Sequence, residues 1–185
     1  TNTHFENACG LEADGHVMSA RDIAVLSRHL LLKHPEVTEY STIWMDTIIH
    51  KTKKGESEFG LANTNKFLKK YEGANGLKTG YTSAAGFSMS ATATRNGMTL
   101  IAVVMGSETK EIRYADAARL LDYGFANCTA FQENPDDITL PPQKISGGIT
   151  PEIIPRVEKP FQYVLCGDEQ SYKPKRKIFY RKHLQ

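Results

Sequence analysis

The chain has 185 residues, 40% of them hydrophobic and 24% charged, with a formal net charge of +2. That length can bury a sizeable core, and the near balance of charge gives no global case for a nucleic-acid partner. The longest apolar run, "TLIAVVM" from Thr99 to Met105, has the length of a strand and falls far short of the roughly 20 residues a membrane span needs.

In chain order, "TNTHFENACG" carries no charged start followed by an apolar run, so no signal peptide is read there. The first helix is predicted in "SARDIAVLSRHLLLKHP". Ser19 caps it, Asp22 completes a capping box, Ile23, Leu26, Leu30 and Leu31 recur at helical spacing, and Pro35 stops it. A shorter helix follows from Pro35 in "PEVTEYSTIW", and the polar "HKTKKGESEFG" reads as a loop or hairpin. From Gly86 the texture changes to "GFSMSATAT", a turn at Asn96-Gly97 and the apolar "MTLIAVVMG", which together predict a β-hairpin. A helix is expected in "EIRYADAARLLDYGF", with Ile112, Ala115, Leu120 and Tyr123 on overlapping apolar faces, Arg113, Asp116 and Arg119 on its surface, and Gly124 ending it.

Beyond Phe125 seven of the eight prolines fall between Asn134 and Lys175, which excludes long helices there. A boundary is expected near Ala126 to Asn134, followed by β structure that ends on the strand-like "KIFYRKHLQ". Phe161, Tyr163, Phe179 and Tyr180 read as half-buried sheet residues. The cations Lys173, Lys175, Arg176, Lys177, Arg181 and Lys182 read as a solvated edge, which like charges keep from pairing, rather than as an envelope-binding patch. Cys9, Cys128 and Cys166 are odd in number and far apart. A bridge from Cys9 or Cys166 is conceivable, but free thiols are preferred, with Cys9 buried. Six histidines form no paired ligand spacing, so no metal site is expected.

The chemistry concentrates at "GLKTGYTSAAGF", Gly76 to Phe87. On a strand edge, the Lys78 ammonium and Thr79 hydroxyl can grip a carboxylate, while Gly80 lets an extended peptide lie against the backbone like an added strand. As a bare tripeptide the same residues describe a solvated lysine near a turn. In context, "NTNKFLKKYEGANGLKTGYTSAAGFSMSATATRNGMTLIAVVMGSETKEIRYADAARLLDYGF" resembles the Lys-Thr-Gly region of serine D-alanyl-D-alanine carboxypeptidases, the low-molecular-mass penicillin-binding proteins. Upstream, "NTHFENACGLEADGHVMSARDIAVLSRHLL" matches the family's Asn-Thr-His-Phe loop, Gly-Leu turn and Ala-Arg-Asp helix start, so the likeness covers about residues 1–125.

The resemblance implies an α+β fold with helices around an antiparallel sheet, an incomplete penicillin-binding/β-lactamase-like transpeptidase fold. Residues 1–125 would be the C-terminal part of the D,D-peptidase domain, and 126–185 the beginning of a β-rich domain. It implies that Lys78 and Thr79 bind the terminal carboxylate of the stem peptide, that Gly80 keeps the edge clear, and that the backbone N–H of Tyr81 is one of two oxyanion-hole donors. Asn63 and Asn65 match the family's Asn-x-Asn, with a turn role at least as well supported as substrate contact. The implied activity is trimming of peptidoglycan stem peptides through an acyl-enzyme, with no cofactor, at an extracytoplasmic, membrane-associated location in the cell envelope.

Two family segments have no counterpart. The nucleophilic serine and its lysine base belong to an S-x-x-K helix more than a hundred residues before Lys-Thr-Gly in the family, and no S-x-N occurs in the chain. Ser107-Glu108-Thr109-Lys110 matches S-x-x-K literally, but it follows the motif, and Ser107 or Thr109 as a helix cap explains it better. The expected partners are therefore a stem peptide ending in D-Ala-D-Ala, β-lactams, and an amino-terminal half supplied in trans or by a swapped copy. The alternatives are a non-catalytic peptidoglycan-binding or structural module, and a serine β-lactamase-like protein, against which the β-rich extension counts.

Overall fold

Asn96 and Gly97 both adopt positive φ, 50° and 75°, the backbone that a two-residue turn needs to match the twist of its flanking strands. They join β4 (Gly86–Arg95) to β5 (Met98–Ser107), which pair antiparallel from Arg95↔Met98 inward. On the other side β4 pairs with β3 (Ala74–Thr82), so the sheet runs β3-β4-β5 with β3 as an edge. The structure, a computed structural model that describes residues 2–168, divides into two units, Thr1–Ala126 and Asn127–Gln185.

In the first unit β4 is buried on both faces, which explains its alternation of small polar and apolar residues. One face presents Met89, Ala91 and Ala93 to a core completed by Ala102 and Val104 of β5, Phe67, and Tyr114, Ala117 and Leu121 of the long helix α4 (Lys110–Asn127). Burying a side chain such as Leu121, 1% exposed, contributes about 1.5–3 kcal/mol. The opposite face carries Ser90, whose hydroxyl meets that of Ser27 at 2.7 Å; both are buried, so the pair satisfies two groups that would be costly alone.

Ser27 lies on α1 (Ala20–Lys33), where Ser19 caps as expected, its Oγ accepting the Asp22 N–H. The reciprocal arm of the predicted capping box is diverted. The Asp22 carboxylate accepts from Asn2 N and Thr3 Oγ1 instead, and the Thr3 hydroxyl, followed by the Asn2 amide, holds it below the usual carboxylate range. Leu26, expected on the inner face, is exposed, and the buried residue of α1 is Ser27.

After α2 (Val37–Ser41), the polar stretch resolves into a hairpin, β1 (Met45–Thr52) with β2 (Gly55–Ala62), exposed along both strands. A four-residue helix α3 (Phe67–Lys70) then plugs Phe67, 1% exposed, into the core, its ring stacked on Tyr71 at 4.9 Å. Tyr71 also donates its hydroxyl to Asp122 at 2.7 Å.

Three expectations for α4 need correction. Its buried side chains are Arg113, Tyr114, Ala117 and Leu121, whereas Ile112, Leu120 and Tyr123 face outward. Hydrophobicity alone selected the wrong stripe, because the small side chains Ala91, Ala93 and Ala102 of the sheet leave room that the large Tyr114 and Leu121 fill. Nor does Gly124 end the helix, which continues to Asn127. A Cβ at Gly124 would lie 2.6 Å from Leu100 Cδ1, so the Leu100 side chain, partly buried against the core, would have to shift to admit it. Overpacking of about 1–3 kcal/mol outweighs the roughly 1 kcal/mol helix gain of alanine, so Gly124→Ala should lower stability by about 1 kcal/mol in a urea titration. A variant more stable than the parent would overturn this packing account. Finally, Arg113, read as a surface residue, is only 5% exposed.

The second unit holds β6 (Cys128–Glu133) paired antiparallel with β9 (Phe161–Cys166), a 3₁₀ turn at Pro135–Asp137, and the short pair β7 (Gln143–Lys144) with β8 (Glu152–Ile153). The preference for free thiols is overturned here. Cys128 and Cys166 stand directly opposite in the β6–β9 register and form a disulfide across 38 residues of sequence. Spacing along the chain carried no information about strand pairing. Cys9 is free but exposed, not buried. Phe161 and Tyr163 are about half exposed, as expected. The strand reading of "KIFYRKHLQ", the basic cluster from Lys173 to Lys182, and Phe179 and Tyr180 lie outside the described residues.

Candidate active site

The motif strand is anchored at its start. Ser41 Oγ donates to the Asn75 carbonyl at 2.7 Å, and the Asn75 side chain accepts from Thr92 Oγ1 at 2.7 Å and donates to Thr94 Oγ1 at 2.9 Å. Gly76, with φ of 158°, sits where a Cβ would meet Ser41 Oγ at 3.0 Å and Thr92 Oγ1 at 3.2 Å, so this first glycine of "GLKTG" is the one the network requires. From there Leu77, Thr79 and Tyr81 alternate with Lys78 and Gly80 along β3, opposite Ala91, Met89, Phe87, Ser90 and Ser88 in that order.

Thr79, Gly80 and Tyr81 line one wall of a groove of about 360 Å³. Thr64 and Lys66 also line it, and Lys110 and Arg113 reach it from α4. A Cβ placed on Gly80 would have no described atom within 4 Å, so the face of β3 is open there, and β3 is itself an edge of its three-stranded sheet. The Tyr81 ring, 59% exposed, packs on Phe87 with centroids 4.3 Å apart. Lys78 does not line this groove; it is exposed, on the alternate side of β3, with its ammonium turned onto the carbonyl of Thr79. Sequence reasoning therefore placed three of the four motif residues on one groove and joined a fourth that the structure keeps beside it.

The Asn-x-Asn pair serves a turn. Asn63 Nδ2 donates to the carbonyls of Ser41 and Ile43, its Oδ1 accepts the Asn65 N–H at 2.9 Å, and Asn65 Oδ1 accepts from Phe67 N. This bracing presents Thr64 and Lys66 to the groove. The literal S-x-x-K divides between two structural roles. Ser107 is buried at the end of β5, and Thr109 caps α4, its Oγ1 accepting the Ile112 N–H at 3.2 Å. Thr109→Ala should cost about 1 kcal/mol in chemical denaturation, and an unchanged midpoint would remove the cap.

Two residues of this region escaped the sequence. Arg113 donates from one guanidinium nitrogen to Gly80 O at 3.3 Å and Ser88 O at 3.2 Å, and Tyr114 donates to Thr64 O at 3.4 Å, so the first turns of α4 tie both walls of the groove. Glu12, from the loop after the Gly-Leu turn, accepts the Ala84 N–H at 3.0 Å; hydrogen bonds from Thr82 and then Ala84 hold its carboxyl below the usual range. Arg113 was hidden because a charged residue on an amphipathic helix is normally outside. For Glu12 no signal existed, since its contact spans 72 residues of sequence.

The D-alanyl-D-alanine carboxypeptidase family pattern matches residues 1–109. The carboxypeptidase DacF of Bacillus subtilis is 38% identical over 125 residues, which are 68% of this chain and 31% of that protein. Penicillin binding protein 5 of Haemophilus influenzae superposes with a TM-score of 0.65 at 28% identity, covering 92% of this chain and 48% of the other. A penicillin-binding protein of Listeria monocytogenes, solved in a cefotaxime-bound form, gives a TM-score of 0.56 at 37% identity over 66% of this chain and 48% of its own. The chain thus spans about a third of the length of that curated relative. It belongs to the D-alanyl-D-alanine carboxypeptidase family of low-molecular-mass penicillin-binding proteins, with an α+β fragment of their fold.

Proposed function

We propose that these residues supply the carboxylate-binding strand and one oxyanion donor of a serine D-Ala-D-Ala carboxypeptidase, with the nucleophilic serine and its lysine base on polypeptide outside the 185. The observation that carries this is the edge position of β3 in its sheet, where Thr79, Gly80 and Tyr81 line a groove and a Cβ at Gly80 would meet no described atom within 4 Å. A stem peptide ending in D-Ala-D-Ala lies along that edge as an added strand. Its terminal carboxylate meets the Thr79 hydroxyl and the Lys78 ammonium, which swings from the Thr79 carbonyl. The serine oxygen attacks the carbonyl between the two alanines, the Tyr81 N–H and a second N–H hold the developing oxyanion, and the last D-alanine departs before water releases the acyl group. A β-lactam acylates the same serine; the cefotaxime-bound relative supports this.

On this reading the first unit is the C-terminal part of the peptidase domain and the second the start of a β-rich domain. The exposed apolar residues of α1 (Val25, Leu26, Leu32) and of the hairpin (Ile48, Phe59, Leu61) support a complementary part of the enzyme that covers them. The substrate and the Cys128–Cys166 bridge, a feature of oxidising compartments, favour an extracytoplasmic location. Among the described residues no helix is long and apolar enough to cross a membrane. Fluorescent penicillin tests the proposal: the intact protein should be labelled covalently, with loss of label when its S-x-x-K serine is replaced. An unlabelled, folded intact protein would leave a non-catalytic module.

A further inference from the structure

We infer that the groove beside Thr79 is a subsite for a second carboxylate, with Lys66 and Lys110 as the residues that select it. The intact enzyme then also takes stem peptides whose last D-residue has an acidic side chain, such as D-glutamate. The inference rests on the proposal that the terminal carboxylate meets Thr79 and Lys78. The bond broken is the one already described, and only the departing amino acid changes. The groove is larger and more positive than a terminal D-alanine needs. Its volume of about 360 Å³ is bounded on one side by Thr79, where the terminal carboxylate would sit, and the single methyl of an alanine leaves most of it unfilled. Every charged residue that lines it is a cation, namely Lys66, Lys110 and Arg113. Lys78 stands on the other side of β3, and Arg113 is engaged by the carbonyls of Gly80 and Ser88, so the two lysines are the cations left to meet a ligand.

Among the described residues Lys66 makes no ion pair. Lys110 has only Glu111, at 3.9 Å with both side chains more than half exposed, a pairing that water weakens. The rings of Tyr81, Phe87 and Tyr114 give the groove low-dielectric walls, and the Lys70 ammonium lies over the Tyr114 ring at 5.6 Å. A cleft lined by one sign of charge between such walls focuses its field on an anion, which a net charge of +2 spread over the whole chain would not do. The position of Lys110 points the same way. It opens α4, an 18-residue helix whose Thr109 cap and Glu111 both suit the positive end of the helix dipole. A lysine there opposes that dipole and is disfavoured on helix stability alone. A ligand carboxylate between Lys110 and Lys66 removes the conflict, because the helix end and both ammonium groups then attract the same charge. Two methylene groups carry the side-chain carboxyl of a terminal D-glutamate away from the carboxylate at Thr79. D-Glutamine has the same shape without the charge.

The test uses the intact enzyme and synthetic stem peptides ending in D-Ala-D-Ala, D-Ala-D-Gln and D-Ala-D-Glu, with release of the last residue as the readout. At low salt kcat/KM for the D-Glu peptide should exceed that for the D-Gln peptide about tenfold, the size expected of two partly shielded ion pairs. The excess should shrink in about 1 M salt, where the screening length is about 3 Å. Replacing both lysines, Lys66→Gln with Lys110→Gln, should bring the ratio to about one, and Lys66→Glu with Lys110→Glu should invert it. A D-Gln peptide succinylated at its amino end has the same added charge at the wrong place and should gain nothing. Equal rates for the D-Glu and D-Gln peptides, a ratio unmoved by the lysine variants, or an equal gain for the succinylated peptide would each overturn the inference; the last would mean general steering of anions. Both lysines are exposed, so the variants should fold, and the ratio is taken within each variant, which cancels any loss of active protein. If the parent releases D-alanine from the D-Ala-D-Ala peptide but shows no preference for D-Glu over D-Gln, the carboxypeptidase reading stands and the subsite falls. If it cleaves none of these peptides, that reading falls and the subsite with it.

Discussion

Replacing Lys78 by alanine in the intact protein should slow acylation by penicillin about 10²–10³-fold while leaving thermal stability within a few tenths of a kcal/mol. The side chain is exposed and its ammonium contacts only the neighbouring Thr79 carbonyl, so the folded chain loses little without it. In the proposed complex the same ammonium faces a carboxylate shielded from water by the ligand, and truncating one partner of such a pair typically costs 2–5 kcal/mol. Ser107→Ala is the control, since Ser107 ends β5 and is not among the residues that line the groove. Stopped-flow acylation with a chromogenic β-lactam measures both variants. Equal slowing in the two would mean that the site has been misplaced.

Reduction of the Cys128–Cys166 bridge should lower the stability of the second unit by about 4 kcal/mol, the chain-entropy value for a closed loop of 38 residues. The effect is large because the described residues of this unit bury little apolar surface. Of its described residues only Leu165 joins the buried apolar set, and its described strands are two to six residues long. Urea titrations followed by a probe in residues 127–168, with and without a thiol reductant, give the difference directly. Coincident titrations would show that the crosslink contributes nothing.

Local rules recovered much of this fold. The Ser19 cap, the stop at Pro35, the Asn96-Gly97 turn and the two long strands around it all depend on residues within a few positions of each other, and each appears where those residues stand. The errors came where a choice depended on a distant neighbour. Which stripe of α4 turns inward is settled by the alanine-paved sheet beneath it, and a charged residue, Arg113, was drawn inside because two backbone oxygens and two aromatic rings were there to receive it. The cysteine pair failed for the same reason, as strand register decides adjacency and thiol spacing does not.

The sequence by itself determined the family, through Lys78-Thr79-Gly80 in its long matching context, and determined that the motif would sit on a strand ahead of a hairpin, because hydroxyl, glycine and alternating apolar residues encode those features locally. Only the tertiary structure decided that β3 is an open edge, that Thr79, Gly80 and Tyr81 share a groove from which Lys78 stands aside, and that Glu12 and Arg113 hold the backbone between them. Those outcomes are set by contacts across tens of residues, where the free energy of packing and of satisfying buried polar groups outweighs any preference a residue has on its own.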